Sequence, residues 1–245
     1  MNDRRINILE VHVDNYESQE LISQLESGFG RNSTQTIFSI NPEKIIRTRK
    51  DPGLFSALKE ADYLIPDGIG VVLGIRLLHG TKINRITGID LMNLLLQTAH
   101  KREYRVFLFG ARPGVNLKAA AEIRKRYPSL KLVGNSHGYI EERLYDKLVQ
   151  RINSLETDIL FVGMGSPKQE KWVHNHKKFL KVKICMGIGG SLDVMARHVQ
   201  RAPQYIQRMG LEWLFRAIQD PKKYKRLVIL PQFIFELAKK KLDYC

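Results

Sequence analysis

The chain repeats one local plan. A short apolar run stops at a glycine, asparagine or aspartate, and a longer amphipathic stretch follows. The runs are INILEVHV, TIFSIN, ADYLIPD, RVFLFG, LKLVG, DILFVGMG and VKICMGIGG. Between them, Gly88 to Lys101, Pro113 to Tyr127, Glu142 to Leu155 and Lys168 to Leu180 carry helical spacing. Strands alternating with helices predict an α/β fold with a doubly wound, mostly parallel sheet. No internal repeat or low-complexity linker interrupts the plan.

Such a fold also constrains where a ligand binds. In an open α/β sheet the site lies beyond the carboxyl ends of the strands. Asn41, Asp67, Gly110, Gly163 to Ser166 and Gly187 to Ser191 all end runs, so one edge should gather them. Any single turn is explained by the glycines and caps that strand-to-helix turns need. The set together marks a site.

Asp67, in YLIPDGIGVV, stands where an apolar run stops. It can cap a helix, hold a metal or accept a proton. Three glycine turns accompany it. FGARPGVNLKAA carries Gly110 and Gly114; FVGMGSPKQEKW carries Gly163 and Gly165, with Lys168 and Gln169 at the helix entry; MGIGGSLDV carries Gly189, Gly190 and Asp193. Backbone N–H groups at such helix starts can hold an anion. None of the three is a Walker A sequence or a full G-x-G-x-x-G in the first βα unit, which disfavours P-loop NTPases and standard dehydrogenases. No metal is expected. His174 and His176 do not share a helix face, no third ligand accompanies them, and Asp-x-Asp is absent. The pairs Glu60/Asp62 and Glu156/Asp158 precede strands, at the opposite edge. GMGSPK is not a nucleophile elbow, and Cys185 falls inside a buried run and reads as core.

The chain has 245 residues, 43% of them hydrophobic, enough for one sizeable core. Its formal charge of +15 implies an anionic partner: nucleic acid, a phosphorylated small molecule or an acidic membrane. Two cysteines, Cys185 and Cys245, make a disulfide framework unexpected and fit a reducing cytoplasm. No apolar run reaches the roughly 18 residues of a membrane span, so membrane contact should be peripheral. The charge gathers at the end. Residues 201–245 hold ten Lys and Arg against four Asp and Glu, among aromatic and aliphatic side chains. PQYIQRMGLEWLFRAIQDP reads as one amphipathic helix, with Ile206, Met209, Trp213 and Ala217 on one face. A second helix is expected from Pro221, with a kink or break at Pro231. Residues 1–200 therefore form the expected core, and 201–245 a basic helical appendage lying in a lipid interface. The alternative is a helical cap packed on the sheet. Nucleic-acid binding competes on charge alone, although no recognisable RNA or DNA module appears.

Several words in the chain go further. SINPEKI, YLIPDGIGVV, NRITGIDLM, LFGARPGV, FVGMGSPKQEKW, GIGGSLDV and RAPQYIQRMGLEWLFRAIQDPKKYKR run from about Ser39 to Arg226. Read together they resemble the WecG/TagA/CpsF family of bacterial glycosyltransferases, most of all its TagA-type N-acetylmannosaminyltransferases. The resemblance implies a Rossmann-like core and a metal-independent, cofactor-free enzyme on the inner face of the cell membrane. It implies transfer of N-acetylmannosamine from UDP to a polyprenyl-diphosphate-linked N-acetylglucosamine, as in the linkage unit of wall teichoic acid. Relatives using N-acetylmannosaminuronic acid, glucose or galactose keep the donor open, as does DVMARHVQRAP after GGSLD. A monomer and a small homo-oligomer both fit the sequence.

By position, Asp67 matches the family's general base, Asn41 its N-P-E asparagine, Arg85 its R-x-x-G arginine and Gln169 its P-K-Q-E glutamine. Ser39 stands where threonine is common. Asp193 lies in the glycine-rich donor motif. Arg85 and the amides near Gly110 and Gly165 would then stabilise the leaving UDP, and Asn41 and Gln169 would orient sugar hydroxyls. Tyr139 would stack on uracil, with Asp193 accepting a hydrogen bond from it; a buried core ring is the equal alternative for Tyr139. Arg208, Arg216 and Arg226 would engage the lipid diphosphate or form surface ion pairs.

Overall fold

The first apolar run is a hairpin rather than one strand. β1 (Arg5–Ile8) pairs antiparallel with β2 (Val11–Asp14), and Leu9 turns the chain at φ 56°. The buried carboxylate of Asp14 pairs with Arg5 at 2.9 Å and accepts the Leu64 N–H at 2.8 Å, which stitches the hairpin to the fold. The computed structural model describes residues 4–212, 214–215 and 225–243.

The other six runs form one parallel sheet. Its strands are β3 (Gln35–Ile40), β4 (Tyr63–Pro66), β5 (Arg105–Gly110), β6 (Lys131–Ser136), β7 (Ile159–Gly163) and β8 (Ile184–Gly187). Their order is β4-β3-β8-β7-β5-β6. Helices cover both faces, as the Rossmann-like reading requires. One face carries α1 (Ser18–Ser27), α5 (Gly88–Arg102), α6 (Pro113–Arg126) and α9 (Ser191–Met195). The other carries α2 (Pro42–Thr48), α3 (Pro52–Lys59), α4 (Ile69–His79), α7 (Tyr145–Ser154) and α8 (Lys168–His176). Central strands are apolar throughout because both faces are buried: Phe107, Phe109 and Phe161 are fully enclosed. Cys185 is part of this core, and burial pushes its thiol up.

The chain leaves β5 for α6 on one face and β7 for α8 on the other. The adjacent strands β5 and β7 therefore flank a topological switch, where a crevice opens beyond the carboxyl ends. Gly110 and Gly163 make the floor of that crevice tight. Gly110 has φ +127°, and a Cβ there would lie 2.3 Å from the Gly163 carbonyl oxygen. Gly110→Ala is expected to destabilise the fold by about 2 kcal/mol or more, from backbone strain and overpacking together. Denaturant unfolding reads this directly; an unchanged midpoint would contradict the packing.

The end of the chain departs from the expected pair of helices. The first, α10, covers only Gln204–Arg208. Amphipathic spacing continues past it, but Gly210 is left-handed at φ +74°. Its N–H donates to Gln207 O at 3.0 Å and that of Leu211 to Ile206 O at 3.0 Å, a Schellman stop. Close packing of Gly210 on Ile69 leaves no room for a Cβ. The last helix, α11 (Lys225–Leu242), runs through Pro231 without a break. It packs on α2 and α4, burying Phe233 and Leu237 in the core, and Arg49 pairs with Glu236 at 2.6 Å. The start of the second helix at Pro221, together with Trp213, Ala217, Arg216 and the side chains of Arg208 and Arg226, lies outside the described residues.

Candidate active site

All the run-ending residues fall on the carboxyl edge of the sheet, where two clefts meet. The smaller, about 230 Å³, lies beyond β3, β4 and β8. Asp67 follows β4, and its N–H donates to Ile40 O at 3.0 Å, fixing it beside the end of β3. The N-cap of α4 is Gly68, with no side-chain cap, so Asp67 does not serve as that cap. Across the pocket stands Gly88, at the start of α5. A Cβ there would lie 3.6 Å from Asp67 Oδ2 and 3.7 Å from Ser39 Oγ. Carboxylate and hydroxyl thus face the same small space, kept open by glycine. Asn41, Arg85, Gln169, Gly189 and Gly190 also line it.

Several of these side chains hold the pocket's walls. Asn41 Oδ1 accepts the Lys44 N–H at 2.9 Å and caps α2. Gln169 is buried; its Oε1 accepts the Gly189 N–H at 2.9 Å and its Nε2 donates to Glu170 Oε1 at 3.0 Å. It therefore sets the glycine loop after β8 rather than presenting a free amide. Arg85 Nη2 donates to Gln207 O at 2.9 Å, tying the pocket's rim to α10.

Beneath the pocket lies an ion pair that sequence reasoning missed. Lys44 Nζ is 2.7 Å from Glu170 Oε1 and donates to Ser39 O at 2.7 Å. Both side chains are almost wholly buried. Burial pushes the Glu170 carboxyl up, but the Lys44 charge and hydrogen bonds from Lys44 and Gln169 outweigh it and hold the group below its ordinary value. A second cluster closes the rim. Arg201 makes a bidentate contact with Asp90, at 2.7 and 2.8 Å, and lies 3.9 Å from Glu212, another pocket-lining carboxylate. The Asp90 carboxyl is raised by burial, yet Arg201 and Thr87 bring it below its usual range. The words R-A-P and G-L-E-W held Arg201 and Glu212, but neither spacing names the partner.

The larger cleft, about 1020 Å³, opens at the β5/β7 switch. Gly163, Lys168 and Asp193 line it beside Tyr139. Tyr139 is 70% exposed, so it is an available ring and not a core one. Gly110 and Gly114 fall outside the lining: Gly110 is floor packing, and Gly114 is exposed on α6. Gly165, Gly189 and Gly190 line both clefts, so the two chambers share one glycine wall. His174 and His176 make separate contacts, with Glu60 at 3.5 Å and with the Trp172 carbonyl at 2.7 Å. Among the described residues no three His, Cys, Asp or Glu side chains are grouped as metal ligands would be.

A switch crevice that adjoins a carboxylate pocket is where an open, Rossmann-like sheet binds its ligand. The chain belongs to the Glycosyl transferase WecG/TagA/CpsF family, which matches residues 6–244. It is 35% identical over 243 residues to the N-acetylglucosaminyldiphosphoundecaprenol N-acetyl-beta-D-mannosaminyltransferase of Staphylococcus aureus strain MRSA252, covering 98% of this chain and 94% of that protein. The enzyme of the same name from Bacillus subtilis strain 168 is 37% identical over 204 residues, 83% of this chain and 78% of that protein. No described helix is long and apolar enough to cross a membrane.

Proposed function

We propose that this chain moves N-acetylmannosamine from UDP to the N-acetylglucosamine of a polyprenyl-diphosphate acceptor, as in the linkage unit of wall teichoic acid. The observation that carries the reading is the shared glycine wall. UDP occupies the switch crevice, and its sugar reaches past Gly165, Gly189 and Gly190 into the pocket of Asp67. There the Asp67 carboxylate accepts the proton of the acceptor hydroxyl as its oxygen attacks the anomeric carbon. The bond to the UDP oxygen breaks on the opposite face, so an α-linked donor yields a β-glycoside. Arg85 and the amides at the Gly165 turn stabilise the charge on the leaving diphosphate, with no metal required. Ser39 and Asn41 orient the sugar. Tyr139 stacks on uracil beside Asp193.

The acceptor is lipid-borne, so the enzyme works as a peripheral protein on an anionic membrane surface. Arg208, Arg216 and Arg226 of the basic C-terminal segment engage the acceptor's diphosphate. A donor screen with one lipid-linked N-acetylglucosamine acceptor tests the reading. UDP-N-acetylmannosamine should be preferred, with full turnover in EDTA and a β-linked product; transfer of glucose or galactose instead would move the chain to another branch of the family. Tyr139→Ala is expected to weaken UDP binding about tenfold, the scale of one lost base–aromatic stack. Calorimetric titration with UDP measures it; unchanged affinity removes Tyr139 from the uracil site.

A further inference from the structure

The Asp67 pocket continues, on the side away from the nucleotide crevice, into an apolar groove of about 410 Å³. Pocket and groove share Asn41, Glu43, Gly68 and Ile69. The walls are α4 and α11, with Leu73 and Leu77 facing Ile229, Phe233 and Ile234. Leu73, Leu77 and Ile234 are 56%, 50% and 57% exposed, so a contiguous apolar strip stays uncovered beside the reacting carboxylate.

The direction of the groove limits what fills it. A Cβ on Gly70 would lie 3.8 Å from the Phe233 ring, and one on Gly74 3.0 Å from Leu237 Cδ1. Contacts advance four residues along both helices together, so α4 and α11 run the same way. The groove therefore starts one residue past Asp67 and leads toward the last turn of α11, where Lys239, Lys240 and Lys241 stand. From Ile69 to Leu77 it covers roughly 12 Å of α4. A ligand following it passes from a carboxylate pocket through hydrocarbon walls to a cationic end suited to anionic headgroups.

We propose that this groove seats the isoprene units nearest the diphosphate of the polyprenyl acceptor, so that the enzyme reads the lipid as well as the sugar. This rests on the acceptor class proposed above. Such a molecule places its sugar and diphosphate in the polar pocket, which Arg85 lines, and its hydrocarbon in the apolar groove that opens from it. The seat would extract the first isoprenes from the bilayer and hold the sugar at Asp67, leaving the rest of the chain in lipid.

The test uses the full chain without vesicles. Transfer from UDP-N-acetylmannosamine is compared for N-acetylglucosamine carried on farnesyl diphosphate and on methyl diphosphate. The parent should prefer the farnesyl acceptor. Leu73→Asn with Ile234→Asn, both at exposed positions, should cut that preference about tenfold, the effect of one or two methylenes lost from an apolar contact. An unchanged preference overturns the seat. So does a double variant that loses only vesicle binding, which makes the face a membrane-inserting surface, or one that loses only self-association, which makes it a contact between copies. A photoreactive farnesyl acceptor should label residues 69–77 or 229–238; labelling confined elsewhere also overturns the proposal. If the parent transfers to neither acceptor, the function reading fails, and the labelling pattern still decides the groove.

Discussion

Replacing Asp67 by asparagine is expected to lower turnover by about 10²- to 10⁴-fold, the range for loss of a positioned general base. UDP affinity and the unfolding midpoint should stay close to the parent's. The amide has nearly the shape of the carboxylate, and the backbone hydrogen bond from Asp67 to Ile40 is untouched. The change removes proton acceptance together with the carboxylate's charge, which also acts on Arg201. Neither does the change uncap α4, because Gly68 holds that position. Ser39→Ala should cost less, since a hydroxyl that orients the sugar is replaced by nothing worse than water. Near-normal turnover of a folded Asp67→Asn protein would move the base elsewhere in the pocket, with Glu212 the first alternative to try.

Lys44→Met should produce the largest loss of stability, about 3–5 kcal/mol, because it strands the Glu170 carboxylate in the core. The double change Lys44→Met with Glu170→Met removes both charges and should lose less than the single one. Guanidinium unfolding of the three proteins measures the difference; equal losses would mean that Glu170 is not stranded once Lys44 is gone. The pH dependence has a definite sign. The folded-state value of Glu170 lies below that of the unfolded chain, so its contribution is present above the ordinary carboxylate range. It disappears as pH falls through the depressed value. Acid unfolding of the parent should therefore begin at higher pH than that of a Glu170→Gln variant normalised for stability at neutral pH, because only the parent has this contribution to lose. The pair also bears on the site, since Lys44 holds the Ser39 carbonyl and Glu170 holds Gln169, which holds Gly189.

The sheet was legible because parallel strands covered on both faces are unbroken apolar runs. Six of the seven runs became its strands, and their polar ends gathered on one edge as parallel topology demands. The seventh misled because its turn is made by Leu9 and not by glycine or asparagine, so no local signal divides INILEVHV. Helical spacing likewise continues across Gly210, whose stop depends on contact with Ile69, far away in the chain. Pro231 lies on the exposed side of α11, where a missing N–H opens no hole in the core.

Asp67, Asn41, Ser39, Arg85 and Gln169 were all marked in the sequence, and the fold brings them to one pocket. Lys44, Glu170, Arg201 and Glu212 were not. A charged residue in an amphipathic stretch reads as solvated until its partner is known. Arg201 meets Asp90, and Lys44 meets Glu170, only after the whole sheet has formed. Gln169 shows the same effect: its motif marks the position, but the bonds it makes support a loop.

The strand order β4-β3-β8-β7-β5-β6 has a consequence for how the molecule is made. As the chain leaves the ribosome, β3–β4 and β5–β6 emerge first, and these two pairs end on opposite sides of the finished sheet. The strands that join them, β7 and β8, are synthesised last. Until then each pair has an open hydrophobic edge, and neither can close the glycine wall. The longest-range pairings are also the slowest to form. A nascent chain halted before Gly187 would carry Asp67 and the β5 half of the crevice but no enzyme, and its exposed edges would make it a client for chaperones.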